Sequence, residues 1–232
     1  MKAIILAAGK GTRCLPLTKT IPKVLISLNG KPFLSYVLGN LQAAGFSEFG
    51  IIVGHLKEKV AEFIKENKIN ATLIAQEEQL GTGHALAQAE KFVCGEDFLL
   101  VSGDNLYSKD DISAAASAHG TVVAGFNVAD PSNYGVLEAS GENLKQILEK
   151  PENPPSNFIN VGLYKLNSEI FSALKQIKKS NTGEYYLTDA INLLAVQGKV
   201  KIKNIKDYWV DLGRLEDIPR VELELKNILS KK

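Results

Sequence analysis

Four short apolar runs near the start of the chain alternate with segments of helical spacing, and this alternation restricts the fold more than any other feature. The runs are "KAIILAA" (2–8), "FGIIVG" (49–54), "ATLIA" (71–75) and "DFLLVSGD" (97–104). Between them lie "PFLSYVLGNLQAAG" (32–45), "LKEKVAEFIKE" (56–66) and "GHALAQAEKFV" (83–93). Apolar runs of this length without polar alternation suit strands covered on both faces. Strands alternating with helices predict right-handed βαβ units and a mostly parallel sheet between helical layers.

The second half changes character. "TVVAGFNV" (121–128), "YGVLEA" (134–139), "LKQILEK" (144–150) and "FINVGLYKL" (158–166) read as strands joined by turns. "KPENPPSN" (150–157) has three prolines and reads as a surface loop between two paired strands. Helical spacing returns at 167–178, 185–197 and 214–230. The expected fold class is α/β: a Rossmann-like, doubly wound three-layer sandwich with a mostly parallel mixed sheet and a small added β lobe. Its 232 residues fit one domain, with parts at about 1–120 and 121–232.

In an open α/β sheet, ligands sit beyond the carboxyl ends of the strands. The stretch "AAGKGTR" (7–13) leaves the first strand at that place. Gly9 and Gly11 allow a sharp turn that presents backbone N–H groups to an anion, and Arg13 offers a charge-assisted fork to phosphate. Two familiar phosphate motifs are excluded. The loop lacks the Gly-x-x-x-x-Gly-Lys-Ser/Thr pattern, and Cys14 stands where a dinucleotide fingerprint needs its third glycine. A net charge of +1 gives no field for nucleic acid. Two cysteines, Cys14 and Cys94, lack metal-site spacing and suit reduced thiols in the cytoplasm. No apolar run reaches the ~20 residues of a membrane span, so no membrane partner is expected.

The longer segment "LAAGKGTRCLPLTKTIPKVLISLNGKP" (6–32) resembles the signature of the sugar-1-phosphate nucleotidylyltransferases. These enzymes join a nucleoside triphosphate to a sugar 1-phosphate and release pyrophosphate. The nucleophile is already an anionic phosphate oxygen, so the task is positioning and charge neutralisation. The resemblance implies Arg13, Lys23 and Lys150 as the catalytic cations. Leu6, Ala8, Gly9, Gly11, Thr12 and Gly103 are implied to bind the nucleotide. "QEEQLGTGHA" (76–85) looks like the base-binding segment of N-acetylglucosamine-1-phosphate uridylyltransferases, which assigns Gln76, Gly81 and Thr82 to the pyrimidine. Thr82 also reads as a helix N-cap.

Asp104, closing "LLVSGD", and Asp211, in "YWVDLG", are implied to hold Mg2+, a hard cation suited to carboxylate oxygens. Gly135, Glu149 and Asn160 are implied to bind the sugar. UTP is expected before dTTP, with glucose 1-phosphate and N-acetylglucosamine 1-phosphate equally placed. The chain lacks the hexapeptide repeats of a C-terminal left-handed β-helix, so no acetyltransferase activity is expected. A homo-oligomer is an open expectation. Two other readings stand beside the enzyme: a sugar-nucleotide sensor without turnover, and a cytidylyltransferase acting on a non-sugar phosphate.

Overall fold

A computed structural model describes residues 1–230. The chain opens with strand β1 (Lys2–Ala7), whose Ala3, Ile4 and Ile5 have no exposed surface. A loop of three short 3-10 turns follows, then a hairpin of β2 (Ser27–Leu28) and β3 (Lys31–Pro32). Helix α1 (Phe33–Ala43), β4 (Phe49–Val53), α2 (Lys57–Glu66) and β5 (Ala71–Ala75) come next. The expected helix over 83–93 is two short helices, α3 (Thr82–Ala87) and α4 (Glu90–Val93), separated at Gln88 and Ala89. After β6 (Phe98–Ser102) come β7 (Asn105–Tyr107), α5 (Lys109–Ala116) and β8 (Thr121–Asn127). Ser108 caps α5 by accepting a hydrogen bond from the Asp111 N–H.

The remainder is β9 (Gly135–Ser140), β10 (Asn143–Glu149), β11 (Phe158–Leu166), α6 (Glu169–Leu174), α7 (Leu187–Val196), β12 (Val200–Asn204), β13 (Trp209–Asp211) and α8 (Ile218–Ser230). Nine strands form one mixed sheet in the order β5-β4-β1-β6-β11-β8-β12-β10-β9. The β5-β4-β1-β6 half is wholly parallel. Only β11 and β10 run against the others, so seven of the nine point one way. The strands flanking the Pro-rich loop are not paired with each other, contrary to the sequence reading. Instead, β9 pairs with both β10 and β11.

The period-two geometry of the strands builds a core on each face. Ala3, Ile5, Leu99 and Val101 pack with Phe33, Leu34 and Leu41 of α1, Ile112 of α5 and Val221 of α8. Ile4, Ile52, Phe98 and Leu100 face the other way, against Leu86 of α3, Ile170 of α6 and Ile191 of α7. Two apolar faces account for the unalternated runs in the sequence. Each fully buried Ile or Leu contributes about 2 kcal/mol. The sheet is therefore a rigid platform, and the loops at its carboxyl edge carry the chemistry.

Candidate active site

The loop after β1 forms the floor of a cleft of about 520 Å³. Leu6, Ala8, Gly9, Gly11, Thr12, Arg13, Lys23, Gln76, Gly81, Thr82 and Asp104 all line it. Gly103 lies just behind, with its N–H donated to the Leu6 carbonyl at 2.9 Å. Gly11 has a left-handed φ of 63°, and a Cβ there would stand 2.9 Å from Thr18 Cγ2. The Thr18 hydroxyl donates to the Gly11 carbonyl at 2.8 Å, and the His55 ring donates from Nε2 to the Thr18 carbonyl at 2.8 Å. Gly9 has no protein atom within 4 Å of where a Cβ would be, so its hydrogen leaves the cleft floor open.

Lys23 enters from the second half of this loop, with its Nζ 2.6 Å from Asp104 Oδ2. The lysine side chain is 12% exposed and the carboxylate 31%. Asn105 Nδ2 donates to the other Asp104 oxygen at 3.0 Å, and Trp209 Nε1 donates to Asn105 Oδ1 at 2.6 Å. The Trp209–Asn105 chain fixes the carboxylate plane. Burial pushes the Asp104 carboxyl up, but the Lys23 ammonium outweighs it and leaves the pKa below the ordinary value.

Strand pairing brings in Asp211. β13 lies antiparallel to β7 with Asp211 opposite Asn105, and the Leu212 N–H donates to the Asp104 carbonyl at 3.0 Å. Burial, and then the Asp104 charge, push the Asp211 carboxyl up to about 6. Helix α8 is not capped by Asp211: the Arg214 N–H donates to Asp217 Oδ2 at 2.8 Å in the turn before it. Two hard carboxylates within each other's field, Asp104 and Asp211, would suit a divalent cation such as Mg2+. Among the described residues there is no cluster of three metal-ligating side chains.

The raised Asp211 pKa has a defined sign. In metal-free protein the folded chain holds the Asp211 proton up to about 6, whereas the unfolded chain releases it near 3.8. Stability from this group therefore falls as pH rises from about 4 to 6. Asp104, with a lowered pKa, loses its contribution only below that window. Chemical denaturation in a chelator should show the decline, and Asp211→Asn should abolish it. A wild-type decline that survives in Asp211→Asn would assign it elsewhere.

At the other wall, Gly81 has φ 98°, and a Cβ there would lie 2.5 Å from the Tyr185 carbonyl oxygen. Gly81→Ala should weaken nucleotide binding at least tenfold through strain and backbone displacement. Isothermal titration with wild-type affinity would contradict this. Thr82 does not cap α3. Gly81 takes the N-cap position, and the Thr82 hydroxyl accepts from the Leu187 N–H at 3.1 Å, fastening α7 to α3.

Gly135, Glu149 and Asn160, on β9, β10 and β11, and Lys150, just after β10, lie outside the cleft lining. Gly135 pairs with Glu149, and the Glu149 carboxylate oxygen is 3.2 Å from the position of a Gly135 Cβ. Asn160 Nδ2 donates to the Tyr164 hydroxyl at 2.7 Å. Lys150 is exposed with a left-handed φ of 42°, and its N–H donates to the Tyr134 carbonyl at 3.1 Å. Tyr134 joins the two regions, because its hydroxyl stands 3.5 Å from Asp211 Oδ2. Tyr134, Asn105, Trp209 and Lys10 were missed in the sequence. Only Lys10, between the two glycines, had a local signal.

The Nucleotidyl transferase family matches residues 2–227. The chain is 40% identical over 223 residues to the bifunctional protein GlmU of Methanococcus maripaludis strain C7, covering 94% of this chain and 53% of that protein. It is 39% identical to a bifunctional sugar-1-phosphate nucleotidylyltransferase/acetyltransferase of Sulfurisphaera tokodaii, covering 92% of this chain and 53% of that protein. Among solved structures, a UDP-glucose pyrophosphorylase complexed with UDP-glucose superposes with a TM-score of 0.87 at 26% identity. That match covers 97% of this chain and 98% of the other. The chain spans about half the length of the curated relatives it matches.

Proposed function

Because the chain belongs to the nucleotidyl transferase family, we propose that it joins a nucleoside triphosphate to a sugar 1-phosphate and releases pyrophosphate. The observation that carries this reading is the convergence of Lys23, Asp104 and Asp211 beside the glycine loop. UTP is the favoured triphosphate, with dTTP second. The segment 76–85 and the UDP-glucose bound by a solved relative support that order. Glucose 1-phosphate and N-acetylglucosamine 1-phosphate are the proposed acceptors.

In this reading, Leu6, Ala8, Gly9, Gly11 and Thr12 line the triphosphate, and Gln76, Gly81 and Thr82 meet the base. Arg13 and Lys23 neutralise the triphosphate. Asp104 and Asp211 hold Mg2+, which when bound supplies positive charge at the α-phosphate. Lys150 binds the phosphate of the incoming sugar, while Glu149, Asn160 and the Gly135 backbone orient its hydroxyls. One oxygen of the sugar phosphate forms a bond to the α-phosphorus as the bond to the bridging oxygen breaks. No proton has to move, because the attacking oxygen is anionic. Lys23 already sits where a cation satisfies Asp104, and its ammonium passes to the phosphates when the triphosphate arrives.

Two features suit this account. Among the cleft-lining residues, no serine or threonine is hydrogen-bonded to a histidine ring, so no hydroxyl–histidine pair competes with direct attack. No helix of the described residues is long and apolar enough to cross a membrane, and both cysteines are free, which suits a cytoplasmic site of action. The test mixes the protein with Mg2+, each of the five common triphosphates and a panel of sugar 1-phosphates, and follows pyrophosphate. Release with UTP and either proposed sugar supports the reading. No release with any pair favours a sensor, and release only with CTP and phosphocholine favours the non-sugar cytidylyltransferase.

A further inference from the structure

Gln76 is only 3% exposed, yet it lines the cleft. Its amide nitrogen donates to the Gly81 carbonyl at 3.1 Å and to His84 Nδ1 at 3.0 Å. Both hydrogens of the amide are therefore used inside the protein. The amide oxygen has no partner among the described residues. Nor is it sealed in, since the buried side-chain atoms without partners there are Thr188 Oγ1 and Glu224 Oε2 alone. It opens on the cleft. A carbonyl can only accept, so Gly81 forces the nitrogen of Gln76 to its side and His84 completes the grip.

The arrangement also fixes the imidazole. Neutral histidine carries one N–H, and Nδ1 is accepting, so the proton resides on Nε2. Gln88 Nε2 donates to the His84 carbonyl at 3.1 Å, and its second hydrogen reaches His84 Nε2 only at 3.4 Å from an exposed side chain, so the part-buried 3.0 Å contact with Gln76 decides the tautomer. The Gly81 N–H, on the same residue as the carbonyl that holds Gln76, has no partner among the described residues.

We infer that His84 is a positioning residue for base selection: with the Gly81 carbonyl it locks the Gln76 amide so that an acceptor oxygen and the free Gly81 N–H face the cleft together. A neighbouring acceptor and donor fit a ring N–H next to a carbonyl. Uracil and thymine present that edge, and so does guanine. Cytosine and adenine place a bare ring nitrogen there and leave Oε1 facing a lone pair. The inference deepens the proposed function, because it rests on that reading of the cleft as a nucleotide site.

The experiment compares wild type, His84→Leu and His84→Asn as full chains. Affinities for UDP, dTDP, GDP, CDP and ADP are measured by calorimetry, and the His84 tautomer by nitrogen NMR. Wild type is expected to favour the three N–H-bearing bases. UDP, dTDP and GDP differ in size, so they show which of the three fits. His84→Leu should lower the preferred affinity about tenfold, matching the loss of one buried hydrogen bond, and should erase most of the discrimination. His84→Asn, whose Oδ1 can occupy the Nδ1 position as an acceptor, should restore it.

Unchanged discrimination in His84→Leu overturns the inference while leaving the enzyme reading intact. Should His84→Leu fail to fold, His84→Asn and the wild-type tautomer decide: a proton on Nδ1 overturns the inference, and one on Nε2 with discrimination kept in His84→Asn supports it. If wild type binds none of the nucleotides, the proposed function falls and base selection falls with it.

Discussion

Replacing Lys23 with alanine is expected to lower kcat/KM about a thousandfold while leaving the protein folded. Loss of a preorganised charge at a phosphoryl-transfer centre has effects of that order. The fold survives because the ion pair is partly open to water, and Asp104 keeps the hydrogen bond from Asn105. Two further readouts separate a catalytic loss from a structural one. Lys23 holds the Asp211 carboxyl down, so its removal should raise that pKa above about 6. It should also tighten divalent-metal binding in nucleotide-free protein, because the competing ammonium at 2.6 Å is gone. Wild-type turnover in Lys23→Ala would remove this residue from the mechanism.

Asp104→Asn should be nearly as damaging and should move metal affinity in the opposite direction. An amide oxygen is a weaker ligand for a hard cation than a carboxylate. Metal affinity is expected to fall about a hundredfold, and turnover about a thousandfold, with calorimetry and steady-state kinetics as the measurements. The substitution also removes the second cause of the raised Asp211 pKa. That carboxyl should drop part of the way from about 6 toward its ordinary value, the remainder being held by burial. A variant that binds the metal like wild type would place the cation elsewhere.

The cleft-lining part of the candidate site was legible because its residues are local. The stretch from Leu6 to Lys23 leaves one buried strand, and Gln76, Gly81 and Thr82 lie within seven consecutive positions. The union of Asp104 with Asp211 was beyond any spacing rule. It depends on β7 and β13, three residues each, too short to show a period. Asn105 and Trp209 escaped for the same reason, since their roles exist only once those strands pair.

Other omissions had signals in the chain. The sequence "SKDD" at 108–111 carries a capping serine with an acid three positions on, which marks the start of α5. "VKIKN" at 200–204 alternates with period two and marks β12. Asn160 and Tyr164 sit on either side of a register shift in β11, so simple alternation does not predict which face each one shares.

The central claim is that fixed charges, with no enzyme nucleophile, bring two anions into contact. The stereochemical course at the α-phosphorus tests it most directly, using a chiral α-thiotriphosphate and a sugar 1-phosphate. A single in-line displacement predicts inverted configuration in the nucleotide-sugar product. Retained configuration would mean two displacements through a nucleotidylated side chain, and would contradict the account.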